Sequence, residues 1–157
     1  MFENKLNICQ VSLNNNIPLI IENYQNFKKI YKKIKIYLIC PNKQLREFKK
    51  KLGTKDIKIV SEDKIISFKE FNKVYKSLSK NINYRNQFKK RLGWYYQQIL
   101  KICFTIRFIK KKDHLIIWDA DTIILKKITF FKNRRTINYG NFYEYNIDYF
   151  ETNKKIL

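Results

Sequence analysis

Asp119 and Asp121 stand one residue apart, directly after the apolar run LIIW, in a stretch that reads LIIWDADTIIL from Leu115 to Leu125. If the backbone stays extended across Ala120, the two side chains point the same way. Carboxylates so placed repel one another, and a divalent cation relieves the repulsion. Mg²⁺ or Mn²⁺ takes carboxylate oxygens on one side and phosphate oxygens on the other. The pair is therefore a candidate metal–diphosphate platform. The same three residues also suit a plain turn, because aspartate favours strand ends and turns.

A helix pattern precedes the acids. In RLGWYYQQILKICFTIRFI (91–109), Tyr95, Ile99, Ile102, Cys103, Ile106 and Ile109 recur at helical spacing and predict an apolar stripe. Opposite them Arg91, Trp94, Gln98 and Lys101 form a second stripe, flanked by Gln97 and Thr105. Amides supply orientable donors and acceptors, Arg and Lys neutralise phosphate, and tryptophan offers a flat face. The bland alternative is a surface helix with Trp94 in the core and the glutamines in solvent.

Other elements must position these residues. LNICQVSL (6–13), KIYLICP (35–41), IKIV (57–60) and LIIW (115–118) read as strands. Between them lie helical patterns over 17–33, with Pro18 in the first turn, over 42–53, with Gly53 as the stop, and from Ser67 to about Lys80. Strands that are apolar on both faces and alternate with helices predict an α/β domain with a mostly parallel sheet. In open sheets of this kind ligands bind beyond the carboxyl ends of the strands, where the acids are expected. Past Ile128, ITFF and RTINYG read as short strands and YFETNKKIL as the start of a helix.

At 157 residues the chain has the length of a single domain, expected to span 1–157. Hydrophobic residues make up 45%, which excludes global disorder, and 3 Gly with 2 Pro argue against a turn-rich all-β fold. The net charge of +21 invites an anionic partner. The lysines are spread along the chain amid abundant Asn, Ile, Tyr and Phe, as an AT-rich gene would produce, which counts against nucleic acid. Peripheral attraction to an anionic membrane surface follows from the charge in either case. Cys9, Cys40 and Cys103 are odd in number and lack CxxC spacing, as reduced cytosolic thiols do. Neither a signal peptide nor a run of about 20 apolar residues occurs. The expected location is cytoplasmic, with contact at the inner membrane face.

RLGWYYQQILKICF followed by a basic spacer, LIIWDADTIIL and KKITFF resembles a group of bacterial proteins with the glycosyltransferase-A fold, a Rossmann-like α/β architecture. The layout is similar to sugar transferases that carry a Leu-Asp-Ala-Asp motif after a sheet strand. The resemblance spans nearly the whole chain and implies sugar transfer from a nucleotide-diphosphate donor, assisted by Mn²⁺ or Mg²⁺. It implies a metal ligand at Asp121 and, at Asp119, a contact with the metal or with the donor's ribose or sugar. Arg91, Trp94, Gln97, Gln98 and Lys101 would contact the donor, and Val11 to Leu13 would begin its nucleoside pocket. Glu62 and Asp63 would meet the base or ribose. The acceptor would be a glycan or lipid-linked sugar, and no residue stands out as its general base. Members of that group continue past the point matching Leu157, with the acceptor site and a further metal ligand such as histidine. His114, the single histidine, starts a strand and reads as structural. The expectation is an active transferase or a truncated form that binds donor without turnover.

Other classes use similar acids. Dehalogenase-type phosphatases place Asp-x-Asp on the first strand with a threonine two residues beyond, whereas Thr122 is adjacent to Asp121. A Toprim-like nucleic-acid enzyme would need Glu62 as its third acid. A basic module that binds nucleic acid without catalysis is the non-enzyme alternative.

Overall fold

The computed structural model describes residues 6–78, 91–108, 114–132 and 135–136. The chain divides into two compact units, Met1–Lys127 and Ile128–Leu157. In the first, four strands form an all-parallel sheet flanked by helices. β1 (Leu6–Val11) is followed by α1 (Ile17–Ile30), β2 (Ile34–Cys40), α2 (Leu45–Leu52), β3 (Ile57–Ser61), α3 (Phe68–Leu78), α4 (Leu92–Phe108) and β4 (Ile116–Ile117). The strand order is β3-β2-β1-β4, so the sheet grows in one direction from β1 and then in the other. This is the Rossmann-like α/β arrangement expected from the alternation of elements.

The registers follow from burial. β1 pairs with β2 from Leu6↔Ile34 to Val11↔Ile39, and β2 with β3 from Ile36↔Ile57 to Cys40↔Ser61. Alternation sends Cys9, Val11, Ile39 and Val60 to one face, where they pack with Phe71 of α3 and Tyr96, Leu100 and Phe104 of α4. Ile8, Ile36 and Leu38 alternate to the other face and are equally buried, as are Ile20 and Phe27 of α1 and Phe48 of α2. Sheet residues buried on both faces explain the near-continuous apolar runs of β1 and β2.

Local chemistry sets the helix limits. α1 carries Pro18 in its first turn and ends at Ile30 rather than 33, because Tyr31 turns extended while its N–H still donates to the Phe27 carbonyl at 2.8 Å. Gly53 ends α2 by proximity: a Cβ there would meet the Lys49 carbonyl oxygen at 2.5 Å. Ser67 caps α3 in a reciprocal box, its N–H donating to Glu70 Oε2 at 2.9 Å and its Oγ accepting from the Glu70 N–H at 3.2 Å.

Two expectations are corrected. The run LIIW gives a ladder of two residues, Ile8↔Ile116 and Cys9↔Ile117, extended by the Trp118 N–H to the Cys9 carbonyl at 3.0 Å. β4 is an edge strand, so Ile117 is half exposed rather than buried on both sides. On α4 the buried face is shifted: Tyr96, Leu100 and Phe104 are buried in the core. Tyr95, Ile99 and Cys103 of the expected stripe pack against it only partly buried, and Ile102 is 51% and Ile106 76% exposed. Apolar residues ring this helix on most sides, so periodicity alone does not fix its buried face.

In the second unit, β5 (Phe131–Lys132) and β6 (Arg135–Thr136) form an antiparallel pair; β6 lies within the expected RTINYG strand, whereas β5 shares only Phe131 with the expected ITFF strand. The helix expected over YFETNKKIL lies outside the described residues, as does Ile109. No helix among the described residues is long and apolar enough to cross a membrane. All three cysteines are free thiols. Burial pushes Cys9 up to about 12, partly offset by the Lys101 ammonium, and burial pushes Cys40 up to about 11.

Candidate functional site

Where strand order reverses, between β1 and β4, the loops leaving neighbouring strands part and open a crevice at the carboxyl edge of the sheet. A cavity of about 190 Å³ sits there, lined by Val11, Asn16, Trp94, Gln97, Gln98, Asp119, Ala120 and Asp121. Both acids and three of the five residues singled out by sequence on or just before α4 thus meet at one place.

The acids reach it by a turn and not by an extended backbone. The Thr122 N–H donates to the Asp119 carbonyl at 3.1 Å, closing a turn across Ala120 and Asp121. Aspartate is favoured at the first position of such turns, so the turn and the shared cavity are compatible readings of one sequence. Ala120 is buried at the bend, and both carboxylates line the cavity.

Two side chains outside the cavity hold this turn. Asn23, 1% exposed on α1, donates through Nδ2 to the Thr122 carbonyl at 2.8 Å and accepts at Oδ1 from the Ile124 N–H at 3.1 Å. Trp118 Nε1 donates to the same Thr122 carbonyl at 2.7 Å, and its ring stands edge-on to Phe27 at 5.4 Å. Sequence reasoning missed Asn23. Its signal was a lone amide in the buried stripe Ile17, Ile20, Asn23, Phe27.

Lys101 is buried rather than presented to a ligand. Its Nζ lies 2.6 Å from Asp119 Oδ1, with 4% of the lysine side chain exposed against 59% of the aspartate's. Gln97 Nε2 donates to the Val11 carbonyl at 3.1 Å, tying α4 to the end of β1 and leaving its Oε1 as an acceptor. Asn16 enters the cavity from the loop after β1 and donates to Ser12 Oγ at 3.2 Å. That loop is fixed again where the Asn14 N–H donates to Gln44 Oε1 at 3.0 Å.

A protein family described as "Family of unknown function (DUF6492)" matches residues 15–157. The chain belongs to the DUF6492 family. No curated protein and no solved structure matches it.

Three expected contacts of this DUF6492 chain lie elsewhere. Arg91 is exposed in the turn before α4 and does not line the cavity. Glu62 and Asp63 open the short 3₁₀ turn Glu62–Lys64 after β3, two strands and roughly 10 Å from β1. Burial, and then the neighbouring Asp63, hold the Glu62 carboxyl above its ordinary range. A Toprim-like triad would need Glu62 beside the aspartates, and it does not join them.

The donor set tests which cation could fit. Among the described residues no third His, Cys, Asp or Glu gathers with Asp119 and Asp121. Asp119 already holds an ammonium on one oxygen, while Asp121 is exposed and has no partner among the described residues. Two carboxylates cannot close an all-protein cage. They do fit Mg²⁺ or Mn²⁺, ions that keep several waters and complete their shell with substrate phosphate.

Proposed function

We propose that this chain binds the diphosphate of a nucleotide-sugar donor together with Mn²⁺ or Mg²⁺ at the Asp119–Asp121 turn and transfers the sugar to an acceptor. One observation carries the reading: two carboxylates, two glutamine amides and a tryptophan line a single cavity at the reversal point of a parallel sheet. A volume of about 190 Å³ lies below the roughly 300–1,000 Å³ of a site that encloses a whole small molecule. It matches the ion–diphosphate portion, with the nucleoside and sugar extending beyond it.

The residues divide the work. Asp121 supplies an unencumbered carboxylate for the cation, and Asp119 offers the oxygen that Lys101 does not occupy. Lys101 halves the negative charge of the pair, so the cation is held firmly only when diphosphate oxygens add theirs. Gln97 Oε1 and the Gln98 amide can meet sugar hydroxyls or phosphate, and Trp94, about half exposed, offers a face for stacking. When bound, the cation would neutralise charge growing on the departing nucleoside diphosphate, which lowers the barrier to transfer.

Calorimetry of the protein with uridine, guanosine, adenosine and cytidine diphosphates, with and without Mn²⁺, tests this reading. Binding of one nucleotide that requires Mn²⁺ and disappears in Asp121→Ala is the expected result. A folded protein that binds none of the four in Mn²⁺ overturns it.

A further inference from the structure

The end of the sheet opposite the cavity has a chemistry of its own. Because the strands are parallel, α1 and α2 run back along the sheet and deliver their C-terminal ends to its amino edge. Contacts across the two returning turns show that they lie side by side. Lys28 Nζ and Tyr24 Oη both donate to Asp56 Oδ2, at 2.9 and 3.1 Å, and Lys35 Nζ donates to the Lys55 carbonyl at 3.0 Å. From the first turn project Lys29, Lys32 and Lys33, and from the second Lys50, Lys55 and Lys58, all exposed. None of the six forms an ion pair among the described residues. Asp56, the acid of these two turns, is already engaged by Lys28.

We propose that this lysine-rich end docks the protein on an anionic lipid bilayer, with the cavity at the far end facing the aqueous phase. Complementing helix dipoles explains lysines in a last helical turn, but Lys32, Lys33, Lys55 and Lys58 lie outside the helices. Lysine is a compact, strongly hydrated charge suited to a diffuse field of headgroups. Reading nucleic acid calls on arginine forks and stacking platforms. Between Lys28 and Lys58 there is one arginine, Arg46, and none of the exposed large hydrophobic residues. The surface therefore suits electrostatic seating without base contacts.

Co-sedimentation with vesicles of phosphatidylcholine containing roughly one-third phosphatidylglycerol, against pure phosphatidylcholine, reads the proposal. A variant carrying Lys32→Gln, Lys33→Gln, Lys50→Gln and Lys55→Gln should bind the anionic vesicles about 100-fold more weakly. A variant with the same charge change at the cavity end (Lys43→Gln, Arg46→Gln, Lys64→Gln, Lys69→Gln) should lose no more than about fivefold. Equal losses would mean that net charge alone is felt, and would overturn the proposal. So would unchanged vesicle binding by the first variant, or a loss confined to duplex RNA added as a second polyanion. A Trp118→Phe variant supplies an independent reading, because its one remaining tryptophan, Trp94, lines the cavity. Brominated lipids should leave its fluorescence intact in the bound state, and quenching would show the opposite orientation.

Discussion

The Lys101 ammonium lies 2.6 Å from an oxygen of Asp119, and the lysine is buried while the aspartate is mostly exposed. One member of the acid pair thus belongs partly to the fold and the other does not. A buried ammonium deprived of its counter-charge is costly, although solvent at Asp119 softens the penalty. Asp119→Ala should lower stability by about 2 kcal/mol and Asp121→Ala by less than about 0.5 kcal/mol. Replacing the lysine as well, in Lys101→Met/Asp119→Ala, should recover most of the loss. Urea unfolding of the three variants checks this, and equal costs for the two aspartates would refute it.

Asn23 should control the site from a distance. Asn23→Leu keeps the volume but strands the buried Ile124 N–H and leaves the Thr122 carbonyl to Trp118 alone, at a cost of about 2 kcal/mol. Mn²⁺-dependent nucleotide binding should weaken with it, although Asn23 does not line the cavity. Unfolding curves and calorimetry on one preparation separate the two effects. Full affinity in Asn23→Leu would show that the turn holds itself.

Glu62 should influence pH dependence with the sign opposite to a paired carboxylate. Burial raises its folded pKa above the unfolded value, so the folded state binds the proton more tightly. Its favourable contribution is present below the unfolded pKa and is lost as pH rises through the folded one. Glu62→Gln should therefore melt higher than the wild type at neutral pH, with the gap closing on acidification. A gap that widens toward acid pH would mean that Glu62 is stabilised as the carboxylate.

The phase of α4 can be tested by substitution. Ile106→Lys should cost less than about 0.5 kcal/mol, whereas Phe104→Ala, two residues away, should cost about 3–5 kcal/mol. Thermal melts of the pair decide between the structure and the face expected from sequence.

That helix shows where sequence reasoning stops. Central strands such as Ile34–Cys40 were legible because residues buried on both faces leave a continuous apolar run. Tyr96, Leu100 and Phe104 carry no more apolar signal than Ile102 and Ile106, so the sheet, not the periodicity, chooses between them. The acids were legible as a ligand site by residue type and position after a strand. Their turn was not, since aspartate suits both an extended rim and a bend. Lys101 looked like a surface cation because lysines cover the chain, and only the fold reveals the carboxylate above it. Glu62 and Asp63 follow a strand as the other acids do, but β3 is at the opposite edge of the sheet, a fact of strand order that residue spacing cannot carry.

The two-residue ladder of β4 has a dynamic consequence. A strand secured by so few rungs frays cheaply, so the segment that bears the acids is suspended from Asn23 and Trp118 more than it is woven into the sheet. Its amides at Thr122 and Ile124 should exchange with deuterium far sooner than those of β1 in the empty protein, and slow down once an ion and a diphosphate draw the bend tight.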